Sequence, residues 1–197
     1  MKKLILATRN TFKIEELKAF LGDSGLEILT LNDLPQAPPL LEDGTTLQEN
    51  ALKKARAVNQ FTKIPALADD SGLEVFFLNG RPGVRSARYA GDDATDEQNN
   101  EKLLAEMRGV APRRRRCQFR AVLALVGDGF EELSEGICPG KLGESPRGRN
   151  GFGYDPIFIP EGFSGTFAEL TTEQKNRISH RARAHERMKE VLRQRLA

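Results

Sequence analysis

The stretch Leu67-Ala68-Asp69-Asp70-Ser71-Gly72 decides how this chain is interpreted, because it places two adjacent acids at the end of an apolar run. The run 64–68 predicts a buried strand, Ser71-Gly72 predicts a turn, and residues 73–78 predict a second strand. Successive strand residues face opposite ways, so both acids reach one site only if the strand ends before them.

Two interpretations of this acid pair are open at this point. A carboxylate at the mouth of a sheet is a common oxygen ligand for a hard divalent cation. Alternatively, the segment is only a turn, because Asp, Ser and Gly are all good turn formers.

The length of 197 residues fits one domain, which can have two lobes. A net charge of +2 is too small to indicate a nucleic-acid partner. Cys117 and Cys138 are too few for a disulfide framework, and they are expected to be small buried hydrophobes. The amino-terminal apolar run is too short for a signal peptide and no run has transmembrane length, so we expect a cytoplasmic protein without a membrane partner.

The amino terminus predicts a strand over 3–7 followed by a helix, since Ile14, Leu17 and Phe20 recur at helical spacing. The first N–H groups of such a helix can bind an anion. Lys13 in the first turn opposes the helix dipole, which suggests that its charge serves a ligand. The alternative is that Asn10 or Thr8 caps the helix and Lys13 is solvated.

A second helix begins at Thr46, where Thr46 and Glu49 have the spacing of a capping box. Lys54 interrupts its otherwise small and apolar stripe. A lysine there either extends its ammonium to solvent at the edge of the core or turns a cation into a cleft.

The remaining sequence predicts helices beginning at Thr95 and Thr171, a long strand 117–127 and a hairpin partner 130–138. The basic run 113–116 is expected to be a solvated loop. Two aromatics and an acid surround a glycine in 152–155, and they can stack on a planar base or belong to the core.

Several motifs now coincide with one family. They are T-x-N-x-x-K (8–13), E-x-G-x-T-x-x-E-N-A-x-x-K-A (42–55), S-A-R-Y-A-G (86–91), A-D-D-S-G-L (68–73), G-F-G-Y-D-P (151–156) and K-x-x-x-S-H-R (175–181). In order and spacing the chain resembles the non-canonical purine nucleoside triphosphate pyrophosphatases, the inosine/xanthosine triphosphate pyrophosphatase family. Arg9 and Leu47 depart from the frequent Gly and Phe of that pattern without changing its polar residues.

The resemblance implies an α/β fold with a long mixed sheet flanked by helices, as a single domain 1–197 with two lobes around a central active-site cleft. It implies hydrolysis of inosine, deoxyinosine and xanthosine triphosphates to monophosphate and pyrophosphate with Mg²⁺, in a homodimer. An enzyme of this kind removes deaminated purines from the nucleotide pool.

The resemblance also implies roles for individual residues. Glu42 and Asp70 are the expected metal ligands, and Asp70 is the expected general base, with Asp69 as the alternate. The residues expected to bind substrate are Thr8, Arg9, Asn10, Thr11, Phe12, Lys13, Lys54, Ser71, Arg88, Phe152, Gly153, Tyr154, Asp155, Lys175, His180 and Arg181. Those from Phe152 to Asp155, with Lys175, His180 and Arg181, are expected at the purine.

A cationic donor at the purine favours the 6-keto group of hypoxanthine and xanthine, because the amino group of adenine leaves that donor unpaired. Guanine shares the keto oxygen, and the sequence does not show how it is rejected. Two rival functions remain: a septum-associated type of nucleotide pyrophosphatase with pyrimidine preference, and a non-enzymatic nucleic-acid-binding protein that uses 113–116 and the basic carboxy terminus.

Overall fold

The structure is a computed structural model that describes residues 2–22 and 24–196. Its strands are β1 (Lys3–Leu6), β2 (Glu27–Thr30), β3 (Ala66–Val75), β4 (Arg116–Gly127), β5 (Phe130–Leu142) and β6 (Phe158–Pro160). Its α-helices are α1 (Thr11–Leu21), α2 (Leu47–Thr62), α3 (Asp96–Glu106), α4 (Thr172–Ile178) and α5 (His180–Leu196).

The six strands form one mixed sheet in the order β2-β1-β3-β4-β5-β6. β1 is parallel to both β2 and β3, whereas β5 is antiparallel to β6. Leu4, Ile5 and Leu6 of β1 are all completely buried, as expected for a parallel strand covered on both faces. The predicted α/β class with a long mixed sheet and flanking helices is therefore confirmed.

The chain divides into two compact units, and the prediction of a single domain remains a prediction. Unit 1 comprises Met1–Asp70, Ala121–Gly136 and Arg181–Ala197, and unit 2 comprises Ser71–Arg120 and Ile137–His180. β3, β4 and β5 each contribute residues to both units.

Each unit has its own apolar core. In unit 1, leucines of the strands pack with α1 and α5; the central members are Leu6, Leu17, Leu67, Leu123 and Met188. In unit 2, three phenylalanines at the centre lie within 6 Å of one another by ring centroid, namely Phe119, Phe158 and Phe167. Both cysteines are buried and free, as predicted.

The predicted turn at Ser71-Gly72 is wrong, because β3 runs without interruption from Ala66 to Val75. A Cβ on Gly72 would lie 2.2 Å from the carbonyl oxygen of Gly83, so this glycine permits a close approach of two backbone segments. The N–H of Leu73 donates to Ser86 Oγ at 2.8 Å. The predicted strand 73–78 is the end of β3 followed by a 3-10 helix, Phe76–Leu78.

Two smaller predictions also need correction. Arg115 is buried and donates to the carbonyl oxygens of Met107, Leu142 and Gly143, so the basic run is not a uniformly solvated loop. Thr46 does cap α2, accepting from the N–H of Glu49 at 3.1 Å, but the Glu49 carboxylate turns to Thr45. Within the part of the chain that is described, no helix is long and apolar enough to cross a membrane.

Candidate active site

The two acids of β3 lie in one charged cluster in unit 1, where each pairs with different cations. Asp69 and Asp70 are buried, and their side chains alternate along the strand. The Asp69 carboxylate meets Lys13 and Arg181, and the Asp70 carboxylate meets Lys54. The strand therefore supplies two carboxylates with separate partners, although it continues past them.

Asp69 is held between two cations from distant parts of the sequence. Lys13 Nζ lies 2.7 Å from Asp69 Oδ1, and Arg181 Nε donates to Oδ2 at 3.2 Å. Burial raises the pKa of Asp69, but Lys13 and Arg181 outweigh it and hold this pKa far below its usual range. Asp69 is thus a permanent anion and a poor proton acceptor.

Lys54 is turned inward, which decides between the two interpretations of that residue. Its ammonium donates to Glu42 Oε1 at 2.6 Å, Asp70 Oδ1 at 2.8 Å and the carbonyl oxygen of Asp69 at 2.8 Å. These three acceptors match the three protons of the ammonium. Burial lowers the pKa of Lys54, but Asp70 and Glu42 raise it more, so the group stays charged.

Asp70 differs from its neighbour in its acidity. Burial raises the pKa of Asp70 against the opposing effect of Lys54 and Lys13, and the nearby Glu42 raises it further. A carboxyl group with a raised pKa is a better proton acceptor than one whose pKa is strongly lowered. The two acids therefore differ, since the pKa of Asp70 is raised and that of Asp69 is lowered.

The loop that carries Glu42 is fastened to the first turns of α2 in antiparallel order. Glu49 accepts from the N–H of Thr45 at 2.7 Å, Asn50 Oδ1 accepts from the N–H of Gly44 at 2.7 Å, Lys53 pairs with Asp43, and Lys54 pairs with Glu42. A Cβ on Gly44 would lie 2.5 Å from Asn50 Oδ1, which explains the glycine at this position. The helix thereby sets where the Glu42 carboxylate lies.

The start of α1 is capped as one of the two interpretations predicted. Asn10 Oδ1 accepts from the N–H of Lys13 at 3.1 Å, and Thr8 Oγ1 accepts from the N–H of Asn10 at 3.2 Å. Capping does not leave Lys13 solvated, because its ammonium is in the Asp69 cluster. Arg9 donates to the carbonyl oxygen of Leu31, while Thr11 and Phe12 are exposed at the first turn.

A second group of predicted residues lies together in unit 2. Lys175 Nζ is 2.7 Å from Asp155 Oδ2 and 5.0 Å from the centroid of the Phe152 ring. Asp155 Oδ2 also accepts from the N–H of Phe152, and Tyr154 donates its hydroxyl to the carbonyl oxygen of Ser86 at 2.9 Å. His180 is buried, and its ring stacks on Phe119 at 4.7 Å.

Three further predicted residues lie in other elements than the group around Lys175 and Asp155. Ser71 is half-buried in β3, and Arg88 is half-buried at the end of a 3-10 helix, Gly83–Arg88. Arg181 was expected at the purine, but its guanidinium pairs with Asp69 and with Glu16 of α1.

A metal ion can be held here only by few protein ligands. Within residues 2–22 and 24–196, no three His, Cys, Asp or Glu side chains form a group suited to a metal. Mg²⁺ characteristically takes one or two carboxylates and completes its shell with water and phosphate oxygens. Glu42 and Asp70 fit that pattern, since an oxygen of each lies within 2.8 Å of the same Lys54 nitrogen.

Three residues that lie at the cluster or at the loop carrying Glu42 were not predicted from the sequence: Glu16, Asn50 and His185. His185 lies one helical turn after Arg181, a spacing that places both on one face of α5, so this residue could have been found. Glu16 and Asn50 act through contacts that depend on tertiary structure, and no local pattern indicates them.

The fold and the charged cluster define the class: an α/β enzyme whose buried acids and lysines suit a phosphate-bearing substrate. A family model described as the Ham1 family matches residues 4–191. This chain belongs to the Ham1 family, and the resemblance seen in its motifs is confirmed.

Relatives and solved structures agree with this assignment over nearly the whole chain. A dITP/XTP pyrophosphatase of Geobacter sulfurreducens is 47% identical, covering 98% of this chain and 97% of the relative. A protein of the same description from Streptomyces coelicolor is also 47% identical, with 98% of each chain covered. A HAM1 protein from Coxiella burnetii has a TM-score of 0.91 at 39% identity, covering 98% of this chain and 100% of that one.

The buried His185 makes a prediction about acid stability. Burial lowers the pKa of His185 to about 4; Asp69 and Glu16 oppose this effect, and Arg181 adds to it. The unfolded chain binds this proton below about pH 6.5, whereas the folded chain resists protonation until about pH 4, so stability falls as the pH drops through that window. Between pH 7 and pH 4 we expect His185 to account for a loss of about 3 kcal/mol.

Replacing His185 with Leu keeps the apolar contact with Phe20 and should flatten this part of the curve. Urea unfolding at several pH values measures it, with Glu186→Gln, an exposed neighbour on α5, as the control that keeps the slope. An unchanged slope in His185→Leu would show that another group carries the proton uptake.

Proposed function

We propose that this chain hydrolyses the triphosphates of deaminated purines, namely inosine, deoxyinosine and xanthosine triphosphate, to the monophosphate and pyrophosphate. Its role is then to remove these nucleotides from the pool before they enter nucleic acid. The observation that carries the proposal is the contact of Lys54 with Glu42, Asp70 and the Asp69 carbonyl oxygen, next to Lys13. The descriptions of the Geobacter and Streptomyces relatives support the choice of substrate.

The phosphate chain is assigned to unit 1. A triphosphate carries about four negative charges, and its hydrolysis needs fixed positive groups where charge develops on the leaving pyrophosphate. Lys13 and Lys54 supply ammonium groups held in place by buried carboxylates. The start of α1 adds the backbone N–H groups of Thr11 and Phe12, Thr8 and Asn10 add polar side chains, and Ser71 adds a hydroxyl.

Mg²⁺ belongs to the same proposal, with Glu42 and Asp70 as its protein ligands. When bound, the metal neutralises phosphate charge and polarises the reacting phosphoryl group. Glu42 is suited to this role because α2 fixes its loop at four successive residues.

Asp70 is the group we assign to take a proton from the attacking water. In the metal-free chain, burial and Glu42 raise its pKa, and its carboxylate shares Lys54 with Glu42, the other proposed metal ligand, so it lies where an attacking water would be held. Asp69 is assigned a positioning role, because its lowered pKa makes it a weak base and its charge holds Lys13 and Arg181. The alternate assignment, in which Asp69 is the base, is accordingly the weaker one.

The purine is assigned to unit 2, to Phe152, Tyr154, Asp155, Lys175 and His180. Lys175 is buried beside the Phe152 ring, so a base stacked on that ring would meet a cationic donor. Such a donor suits a 6-keto oxygen and opposes the amino group of adenine. We also propose that substrate contacts Gly153, Arg88 and Arg181. The homodimer and the cytoplasmic location remain predictions.

The substrate prediction concerns both rate and product. Purified protein with Mg²⁺ should release pyrophosphate from inosine, deoxyinosine and xanthosine triphosphates about a hundredfold faster than from ATP, because the donor at the purine is left unpaired by adenine. Separate assays of pyrophosphate and orthophosphate check the product. Orthophosphate release, or equal rates on ATP, would contradict the proposal, and faster turnover of pyrimidine triphosphates would favour the septum-associated type.

The second prediction separates the two acids. Asp70→Asn should lower kcat by a factor of about 10²–10⁴ while the protein remains folded, because the proton acceptor is lost and Glu42 still pairs with Lys54. Asp69→Asn should destabilise the fold by about 3–5 kcal/mol, because it leaves Lys13 and Arg181 without their buried counter-charge.

Thermal unfolding and steady-state kinetics on both variants make the comparison. Glu131→Gln is a matched control, since it also replaces a carboxylate with an amide, in an exposed ion pair with Arg56, and it should change neither quantity much. If Asp70→Asn keeps its activity, the role of base passes to Asp69.

A further inference from the structure

Both backbone polar groups of Gly153 are bound by side chains of α3 within unit 2. The N–H of Gly153 donates to Asp96 Oδ2 at 2.6 Å, and its carbonyl oxygen accepts from Asn100 Nδ2 at 2.8 Å. Gly153 has a φ of +60°, a left-handed conformation that favours glycine. The helix therefore holds the loop 152–155 by hydrogen bonds to both backbone polar groups of Gly153.

Asp96 and Asn100 are one helical turn apart, so they present their side chains on the same face of α3. Asn100 is buried, and its Nδ2 also donates to the carbonyl oxygen of Asp96 at 2.9 Å. The start of the helix is fixed by a reciprocal capping box between Thr95 and Gln98. These contacts give the two side chains little freedom.

The preceding residue, Asn99, binds backbone groups of another loop, 87–90. Its Oδ1 accepts from the N–H of Ala90 at 2.8 Å, and its Nδ2 donates to the carbonyl oxygen of Ala87 at 3.1 Å. The hydroxyl of Tyr154 joins the two loops by donating to the carbonyl oxygen of Ser86. Consecutive asparagines of α3 thus anchor the segments that contain Arg88 and Tyr154.

We propose that Asp96 and Asn100 are positioning residues for purine recognition, which act by fixing the loop 152–155 through Gly153. This rests on the proposed function, in which that loop contacts the base. Asp155 Oδ2 binds both the Phe152 N–H and Lys175 Nζ, so a shift of Gly153 displaces the aromatic ring and the partner of the cation together. Loss of the α3 contact should therefore reduce discrimination between keto and amino purines.

The test compares Asp96→Ala with Asp96→Asn, which keeps an oxygen able to accept from the Gly153 N–H. Asp96 lies at the exposed start of its helix, so both variants should fold. We expect Asp96→Ala to raise KM for inosine triphosphate about tenfold, to change kcat much less, and to lower the ratio of kcat/KM for inosine triphosphate over ATP. Asp96→Asn should restore most of that ratio.

Glu97→Ala is the matched control. It also removes an acid from the first turn of α3, but Glu97 is exposed and is not among the groups that hold Gly153. Its kinetic constants should match those of the wild type.

A titration with inosine monophosphate gives a readout that does not depend on turnover. The chain has no tryptophan and two tyrosines, Tyr89 and Tyr154, so its intrinsic fluorescence reports on this region. Asp96→Ala should weaken inosine monophosphate binding about tenfold and leave AMP binding little changed.

The outcomes separate the two proposals. Wild-type protein that does not hydrolyse inosine triphosphate rejects the proposed function. If the wild type is active, and Asp96→Ala loses thermal stability yet keeps the wild-type substrate ratio and inosine monophosphate affinity, then Asp96 is merely structural and the positioning proposal is overturned.

Discussion

The burial of the Asp69 carboxylate between Lys13 and Arg181 is the constraint on which unit 1 depends. These residues come from β3, α1 and α5, so one anion joins three elements that are far apart in sequence. A buried charge is tolerated only when partners compensate it, and the loss of one partner exposes the others to the cost of burial. The proposal for the phosphate chain uses the same arrangement, because Lys13 lies in the first turn of α1, at the positive end of the helix dipole.

Local signals in the sequence were sufficient for the starts of four helices and for the inward-turned lysine of α2. Each of these four helices is capped by the predicted residue, namely Asn10, Thr46, Thr95 or Thr171. Such a residue is recognisable because its side-chain oxygen accepts a backbone N–H of the first turn that has no partner within the helix. Lys54 was recognisable as an interruption of an apolar stripe. The parallel central strands were recognisable because they are continuously apolar.

Features that depend on tertiary contacts were predicted wrongly or were missed. Ser71-Gly72 has the composition of a turn, but a glycine is needed at 72 because the Gly83 carbonyl oxygen approaches closely. Composition alone does not distinguish a glycine needed for close approach from a glycine in a turn. Arg115 belongs to a run of four arginines, and only the fold makes it different, by bringing three carbonyl oxygens to its guanidinium. The α3 contacts to Gly153 span more than fifty residues and leave no local pattern.

Hydrolysis as proposed depends on Glu42 and Asp70 sharing one metal ion when a nucleotide is bound. A crystal structure with Mn²⁺ and a non-hydrolysable analogue of inosine triphosphate, recorded with anomalous scattering from manganese, tests it directly. One anomalous peak is expected within about 2.3 Å of an oxygen of each carboxylate and of a phosphate oxygen. A manganese peak away from both carboxylates, with the nucleotide phosphates remote from Lys13 and Lys54, would show that these residues do not form the proposed site.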